Sequence, residues 1–315
     1  MNLHRRVVHA VAAGALALSL AACAGTGDEE TEGSQPQGAS LRISLGTQEF
    51  PEARILGELW RQALAVNGYT VDLRKGVGPA EDLDELLGDG DIDGYVAYTG
   101  TVLSIVAKQD VTGLDPEQTY DAAKKFYDSR DMAMSAMTPF ENKDAIATTR
   151  RFAQAKHLES IADLADLPSF TLAARPEFED LYLGLEGLQD VYGLTNADFE
   201  AVTLGTQYDA LDDGEADAVN AFTTDPQLLS GDYEVLDDPD LLFGSQNVVM
   251  VVGKDELERV GQETFLKVVD AVNARLTQDV MVDLNAAVTD GQDEVDVAER
   301  FLRDAGLLEP IGEAD

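Results

Sequence analysis

From Leu41 onward the chain alternates between short runs of period two and longer runs of period 3.6, and this alternation limits its fold most. Leu41-Arg42-Ile43-Ser44-Leu45 places apolar residues on one side of an extended segment and leads into a turn at Gly46. Ile55, Leu56, Leu59, Trp60, Ala63 and Leu64 then recur at helical spacing, and Asn67-Gly68 end that helix. Tyr69–Leu73 reads as a second strand, Leu83, Leu86 and Leu87 as a short helix, and Ile92–Tyr98 as a third strand. Further strands are expected at Ala145–Thr148, Phe170–Ala173, Phe199–Thr203, Ala216–Ala221, Tyr233–Leu236 and Val248–Val252, with helices between most of them. Two helical stretches, roughly Gln262–Leu284 and Val295–Ala305, close the chain. Strands alternating with helices predict an α/β architecture with largely parallel sheets. The 315 residues suit about two domains of ordinary size, and no internal repeat is visible.

Residues 1–22 follow a different logic. Arg5 and Arg6 open the segment, and Val11 to Ala22 form an apolar run too short to span a bilayer, the pattern of a signal peptide. Leu20-Ala21-Ala22-Cys23 resembles the bacterial lipobox, in which the Cys is lipidated and becomes the first residue of the mature chain. Ala24 to Ser40 contains no large apolar residue, so 23–40 is expected to be a lipidated Cys and a flexible linker. These features predict an anchor at the extracytoplasmic face of the cell membrane.

Charge and residue counts exclude several functions. With 60 Asp and Glu against 22 Lys and Arg, the net charge of −38 opposes nucleic-acid binding, which needs clustered cations. The single Cys excludes a disulfide framework within the chain and a Cys-rich zinc site. Two of the three His, His4 and His9, lie in the first ten residues, leaving His157 alone to serve a nucleophile–His–acid arrangement. A hydrolase or other enzyme therefore has little to work with, and no cofactor is implied. Two local signals also fall short. Asp89-Gly90-Asp91-Ile92-Asp93-Gly94 begins like a calcium loop, but its twelfth position is Gly100 where a bidentate Glu is required. Gly76-Val77-Gly78 lacks the remaining Gly or Lys of a phosphate loop and reads as a turn.

The third strand ends at Tyr98-Thr99-Gly100-Thr101, where a helix begins. Ligands of open α/β sheets bind at such strand ends, beside free helix N–H groups. The ordered series around it runs from Glu49-Phe50 and Ile55-Leu56-Gly57-Glu58-Leu59 through Gly90-Asp91-Ile92-Asp93 into Tyr98-Thr99-Gly100-Thr101. It continues with Pro176-Glu177-Phe178, Gly187-Leu188, Tyr192-Gly193-Leu194, Tyr208-Asp209-Ala210-Leu211, Thr224-Asp225 and Leu236-Asp237-Asp238. Over nearly all of the mature chain this series resembles the substrate-binding proteins of ABC transporters for glycine betaine, choline, carnitine and related quaternary amines.

That resemblance implies a two-lobed periplasmic-binding-protein fold, type II-like, with the ligand cleft between lobes. It places 41–138 with 227–315 in the first lobe and 139–226 in the second. It also implies cation–π capture of the quaternary ammonium by aromatic rings, with a permease and an ATPase as partners. Position by position, Tyr98 stands at a cage Tyr and Thr101 at a Thr that touches the ligand carboxylate. Phe222, before Thr223, replaces a second cage Tyr. Asp144 and Gln246 take the places of two more, Gln48 that of a Lys, and Leu181, with Tyr182 beside it, that of an Arg. The candidate ligand-binding set is thus Gln48, Tyr98, Thr101, Asp144, Tyr182, Phe222, Thr223 and Gln246. Two rings and two cations of the family's set are missing from the expected positions, which points to a larger or more polar amine and leaves Asp144 to pair with its cation. Core packing is the alternative for Tyr98 and Phe222, and a helix or loop cap for Asp144. The expected function is a lipid-anchored importer component for a quaternary amine or betaine. The alternatives are a surface sensor or scaffold of the same fold, and binding of a different small polar amine.

Overall fold

A computed structural model describes residues 41–203 and 205–311 of the chain. The expected signal peptide, Cys23 and linker lie outside the described residues. Among those described, no helix is long and apolar enough to cross a membrane.

In chain order the first half runs β1 (Arg42–Gly46), α1 (Pro51–Val66), β2 (Thr70–Arg74), α2 (Ala80–Asp89), β3 (Gly94–Tyr98), α3 (Thr99–Thr101), a π-helical turn (Val102–Val106), α4 (Pro116–Asp128) and β4 (Met132–Met134). There follow β5 (Asp144–Thr149), α5 (Arg150–Lys156), β6 (Phe170–Ala174), α6 (Leu185–Tyr192), β7 (Ala197–Ala201), α7 (Gln207–Asp212), β8 (Ala218–Phe222) and β9 (Tyr233–Val235). The chain closes with β10 (Val248–Gly253), α8 (Lys254–Val260), α9 (Gln262–Asn273), α10 (Gln278–Thr289) and α11 (Glu294–Asp304).

The strands form two five-stranded sheets, ordered β2-β1-β3-β10-β4 and β7-β6-β8-β5-β9. The expectation of largely parallel sheets needs correcting. β1 is parallel to β2 and β3, and β6 to β7 and β8, but β10 and β5 each run antiparallel to both neighbours. β5 and β10 are the strands by which the chain enters each sheet from the other, so their direction is set by the crossings rather than by a right-handed helical return. The expected break at 226/227 also moves. β9 pairs with β5 in the second sheet, and Leu236, Leu242 and Phe243 are buried in that sheet's core, so the return crossing follows Phe243.

Local chemistry explains the elements that place the site. Pro51 opens α1 at a position where no N–H is needed, and Gly68, at φ 88, lets the chain turn out of it. The turn before β3 keeps Gly90 left-handed at φ 76, and Asp93 accepts hydrogen bonds from Ser44 N (2.6 Å) and Ser44 Oγ (3.1 Å), committing a carboxylate of the calcium-like run to β1. The single helical stretch expected over Gln262–Leu284 is two helices. Leu276 is fully buried between them, its carbonyl accepts Phe140 N, and Thr277 caps α10.

α1 packs against the first sheet with α9 and α11 over it. Trp60, 1% exposed, donates from Nε1 to Asn273 Oδ1 at 2.8 Å, and Asn273 Nδ2 donates to Ala136 O at 2.7 Å. Trp60→Phe leaves the Asn273 oxygen buried and unpaired, a loss of about 1–3 kcal/mol, which a urea midpoint against wild type will show. On the same helix buried Glu58 pairs with Arg61 (2.6 Å) and Lys75 (2.7 Å). Burial pushes its carboxyl up, but the hydrogen bonds and charges of Arg61 and Lys75 outweigh that and hold it below the ordinary range. Its contribution is therefore full above the unfolded value of about 4.3 and is lost as pH falls through the lower folded value. Glu58→Gln is expected to lower Tm at pH 7 and to converge on wild type near the acid limit; a constant difference at every pH contradicts the pairing.

Candidate ligand-binding cleft

Two extended crossings, 135–143 and 244–247, join the sheets side by side. Asn247 Nδ2 donates to Thr138 O (3.0 Å) and Phe140 O (3.2 Å), Asn142 N donates to Gln246 O (3.1 Å), and Glu141 bridges Asn247. Against these crossings lies a cavity of about 490 Å³. Six of the eight sequence candidates line it: Gln48, Tyr98, Thr101, Asp144, Phe222 and Gln246.

Tyr98 ends β3 and is 6% exposed, with its hydroxyl donating to Glu52 Oε1 at 2.9 Å. Burial, then the Glu52 charge and hydrogen bond, hold the phenol well above its ordinary pKa, so it remains a donor. The Phe50 ring lies 5.7 Å from the Tyr98 ring and tilted 46° to it. Phe50 also lines the cavity and is 40% exposed, a third ring that the candidate set omitted. It could have been found by the rule that singled out Tyr98, because it too stands where a strand, here β1, gives way to a helix.

Gln48 donates from Nε2 to Val96 O at 2.9 Å, while its buried Oε1 has no partner among the described residues. Gln246 spends its side chain on Thr101: Oε1 accepts from Thr101 N (3.0 Å) and Thr101 Oγ1 (3.3 Å). Gly100 permits this approach, since a Cβ there would stand 2.5 Å from Ser245 O and 3.0 Å from the Gln246 amide carbon. The amide oxygen thus occupies donors that the family resemblance assigns to a ligand carboxylate.

The second sheet corrects the reading of Asp144. Arg175 holds its carboxylate in a two-pronged pair, Nη1 to Oδ1 at 2.6 Å and Nη2 to Oδ2 at 3.2 Å, and Asn220 Nδ2 adds a bond to Oδ1 at 2.9 Å. The Arg175 guanidinium also lies 5.4 Å from the Phe222 ring centre and 5.3 Å from that of Phe178. Asp144 is therefore neutralised by the protein, and one face of Phe222 is covered by a cation. The expectation of missing cations needs correcting as well. Arg175 stands one residue before Pro176-Glu177-Phe178 rather than after it, and Lys143 lines the cavity with Nζ 3.0 Å from Glu141 Oε1. Lys143 comes from a segment other than those of Gln48 and Leu181, and Arg175 stands at the opposite end of the turn that closes at Leu181, which is why position-by-position comparison missed them.

Two candidates stand apart from the cavity. The Thr223 hydroxyl donates to Glu141 O at 2.7 Å and accepts from Lys143 N at 3.1 Å, tying the end of β8 to the first crossing. Tyr182 is 47% exposed in the loop before α6 and does not line the cavity.

The arrangement offers aromatic faces from Phe50, Tyr98 and Phe222, a cation at Lys143 and few free hydrogen-bond donors. Such walls suit an alkylated cation, which cannot donate a hydrogen bond, with an anionic tail turned to Lys143. The model for the substrate-binding domain of ABC-type glycine betaine transport systems matches residues 42–304. A glycine-betaine-binding protein of Pseudomonas aeruginosa is 30% identical over 288 residues, covering 87% of this chain and 90% of that one. A Helicobacter pylori protein named as an ergothioneine transport permease and ergothioneine binding protein is 24% identical over 249 residues, covering 78% of this chain and 44% of that one. Among solved structures, one described as a glycine betaine/carnitine/choline ABC transporter superposes with a TM-score of 0.78 at 23% identity, covering 85% of this chain and all of the other. With both lobes inside the matched region, the chain belongs to the family of substrate-binding domains of ABC-type glycine betaine transport systems, a binding component and not an enzyme.

Proposed function

We propose that this chain is the lipid-anchored, extracytoplasmic binding component of an ABC importer and that it captures a quaternary amine or betaine in the cavity between its lobes. The observation that carries the reading is the grouping of Phe50, Tyr98 and Phe222 around one cavity that also holds Lys143. A trimethylammonium group gains about 0.5–2 kcal/mol from each ring it faces, more as water is excluded. Arg175 behind Phe222 works against that ring's attraction, so Phe50 and Tyr98 contribute the larger share. The carboxylate of a betaine is held by Lys143, whose charge the site shares with Glu141. The name of the Pseudomonas relative supports a betaine, and that of the Helicobacter relative supports one bearing a larger side group. Handing the ligand to a permease then follows from opening the lobes, and Cys23 is the proposed point of lipid attachment.

A thermal-shift series with glycine betaine, choline and carnitine at millimolar concentration tests the ligand class. Saturation at one hundred times Kd adds about 2.7 kcal/mol of stability, and on the order of 5 °C or more in Tm; no shift with any quaternary amine removes the class. For a ligand that binds, Phe50→Ala is expected to weaken affinity roughly threefold to thirtyfold, the worth of one ring, as read by calorimetry. Lys143→Gln removes the cation from the same cavity. It is expected to weaken a carboxylate-bearing betaine at least tenfold more than choline, the worth of a charged hydrogen bond, and equal losses would place the carboxylate away from Lys143.

A further inference from the structure

Beside the cavity just described lies a second chamber of about 380 Å³ that shares Phe50, Asn142 and Phe222 with it. Its chemistry is different. Glu52 and Asp225 both line it, and among the described residues no Lys, Arg or His does. Asn285 lines it too and is only 8% exposed. Its Nδ2 donates to Glu52 Oε2 (2.8 Å) and Thr224 O (3.2 Å), two acceptors that fix which way the amide faces. Its Oδ1 is left buried without a partner. Asn142 repeats the pattern: Nδ2 donates to Glu52 Oε1 at 2.9 Å and Oδ1 has no partner. Two residues with unpaired, buried amide oxygens and two with carboxylates thus line one chamber, with no cation among its described walls. Buried acceptors are normally paired, so a pair left open at a cavity marks a place for a donor.

The negative charge is not balanced locally either. Glu52 takes its hydrogen bonds from neutral donors, Tyr98, Asn142 and Asn285. Burial, and then the charges of Glu52 and Asp144, push the Asp225 carboxyl above its ordinary value, against the pull of hydrogen bonds from Phe222 N and the Tyr208 hydroxyl. A group bearing both positive charge and N–H donors would answer the two deficits at once. A trimethylammonium group has the charge but no N–H, which assigns it to the ring-lined cavity rather than to this chamber.

Resting on the binding function above, we propose that the second chamber is a subsite for a cationic N–H donor, a primary ammonium, carried by the same ligand whose quaternary amine sits between Phe50, Tyr98 and Phe222. The ligand is then longer than glycine betaine and straddles the gap between Phe50 and Phe222. Such a subsite discriminates sharply, because a ligand lacking the donor leaves the acceptors unpaired.

The test compares Nα-trimethyl-lysine, with an ammonium at the end of its four-carbon tail, with Nα-trimethyl-norleucine, whose tail has the same length and no ammonium. Glycine betaine serves as the reference ligand, and calorimetry on the full chain gives the affinities. Wild type is expected to prefer the lysine derivative at least tenfold. Thr289 is exposed at the end of α10 and lines the second chamber but not the first. Thr289→Trp should fill that chamber and abolish the preference while glycine betaine affinity stays within twofold. Asp225→Asn and Asn285→Leu should each lower the preference at least threefold. No preference in wild type, or one that survives Thr289→Trp, overturns the proposal. If no trimethylammonium compound binds, the functional reading fails, and n-pentylamine, which has only the ammonium tail, decides the subsite. Binding to wild type that is lost in Thr289→Trp sustains it, and any other result overturns it.

Discussion

The paired crossings between the lobes are the constraint on which the cleft depends. Asn247 clamps the first crossing through two backbone carbonyls, and Thr138 Oγ1 accepts a bond from Val248 N at 2.9 Å, so neither segment is placed without the other. Asn142, Lys143 and Asp144 leave one crossing, and Gln246 the other. Thr223 adds a third tie from β8, through its hydroxyl to Glu141 and its carbonyl to Gln278 on α10. The walls of the cleft are therefore set by hydrogen bonds at its base, and the rings of Phe50 and Tyr98 on the first lobe meet Phe222 on the second at a separation those bonds determine.

Electrostatics inside the cleft runs independently of the chain's charge. A net −38 spread over a solvated surface is screened within about 8 Å at physiological salt. Within the cleft, Lys143, Glu49 and an Asp144 already paired with Arg175 border one cavity, and Glu52 and Asp225 the adjoining chamber. The guanidinium of Arg175 does double duty by neutralising Asp144 and stacking on Phe222. An aromatic wall with a cation behind it attracts a ligand cation less than its ring count implies.

Where local pattern decides structure, the sequence was readable. The period-two and period-3.6 runs located β1, α1, β5, β6 and β10 to within a few residues, because each buries one face or both and needs no distant partner to define it. Strand direction was less readable: β5 and β10 carry the same apolar signature whether they run parallel or antiparallel. The lobe boundary failed for a related reason, since the pairing of three-residue β9 with β5 is a long-range choice. In the cleft, Tyr98 and Phe222 could be picked out from motif position. Arg175 and Lys143 could not, because their approach depends on how the second sheet is oriented. The roles of Gln246 and Thr223 depended on bonds spanning 145 and 82 residues, which no local pattern encodes.

The account's central claim is that the ring-lined cavity between the lobes holds the ligand by its cationic head. A crystal structure of the chain with a bound quaternary amine tests it most directly. The account predicts the ammonium within about 6 Å of the ring centres of Phe50 and Tyr98, with any carboxylate turned to Lys143. A ligand seated outside this cavity, or one whose ammonium avoids both rings, would contradict it.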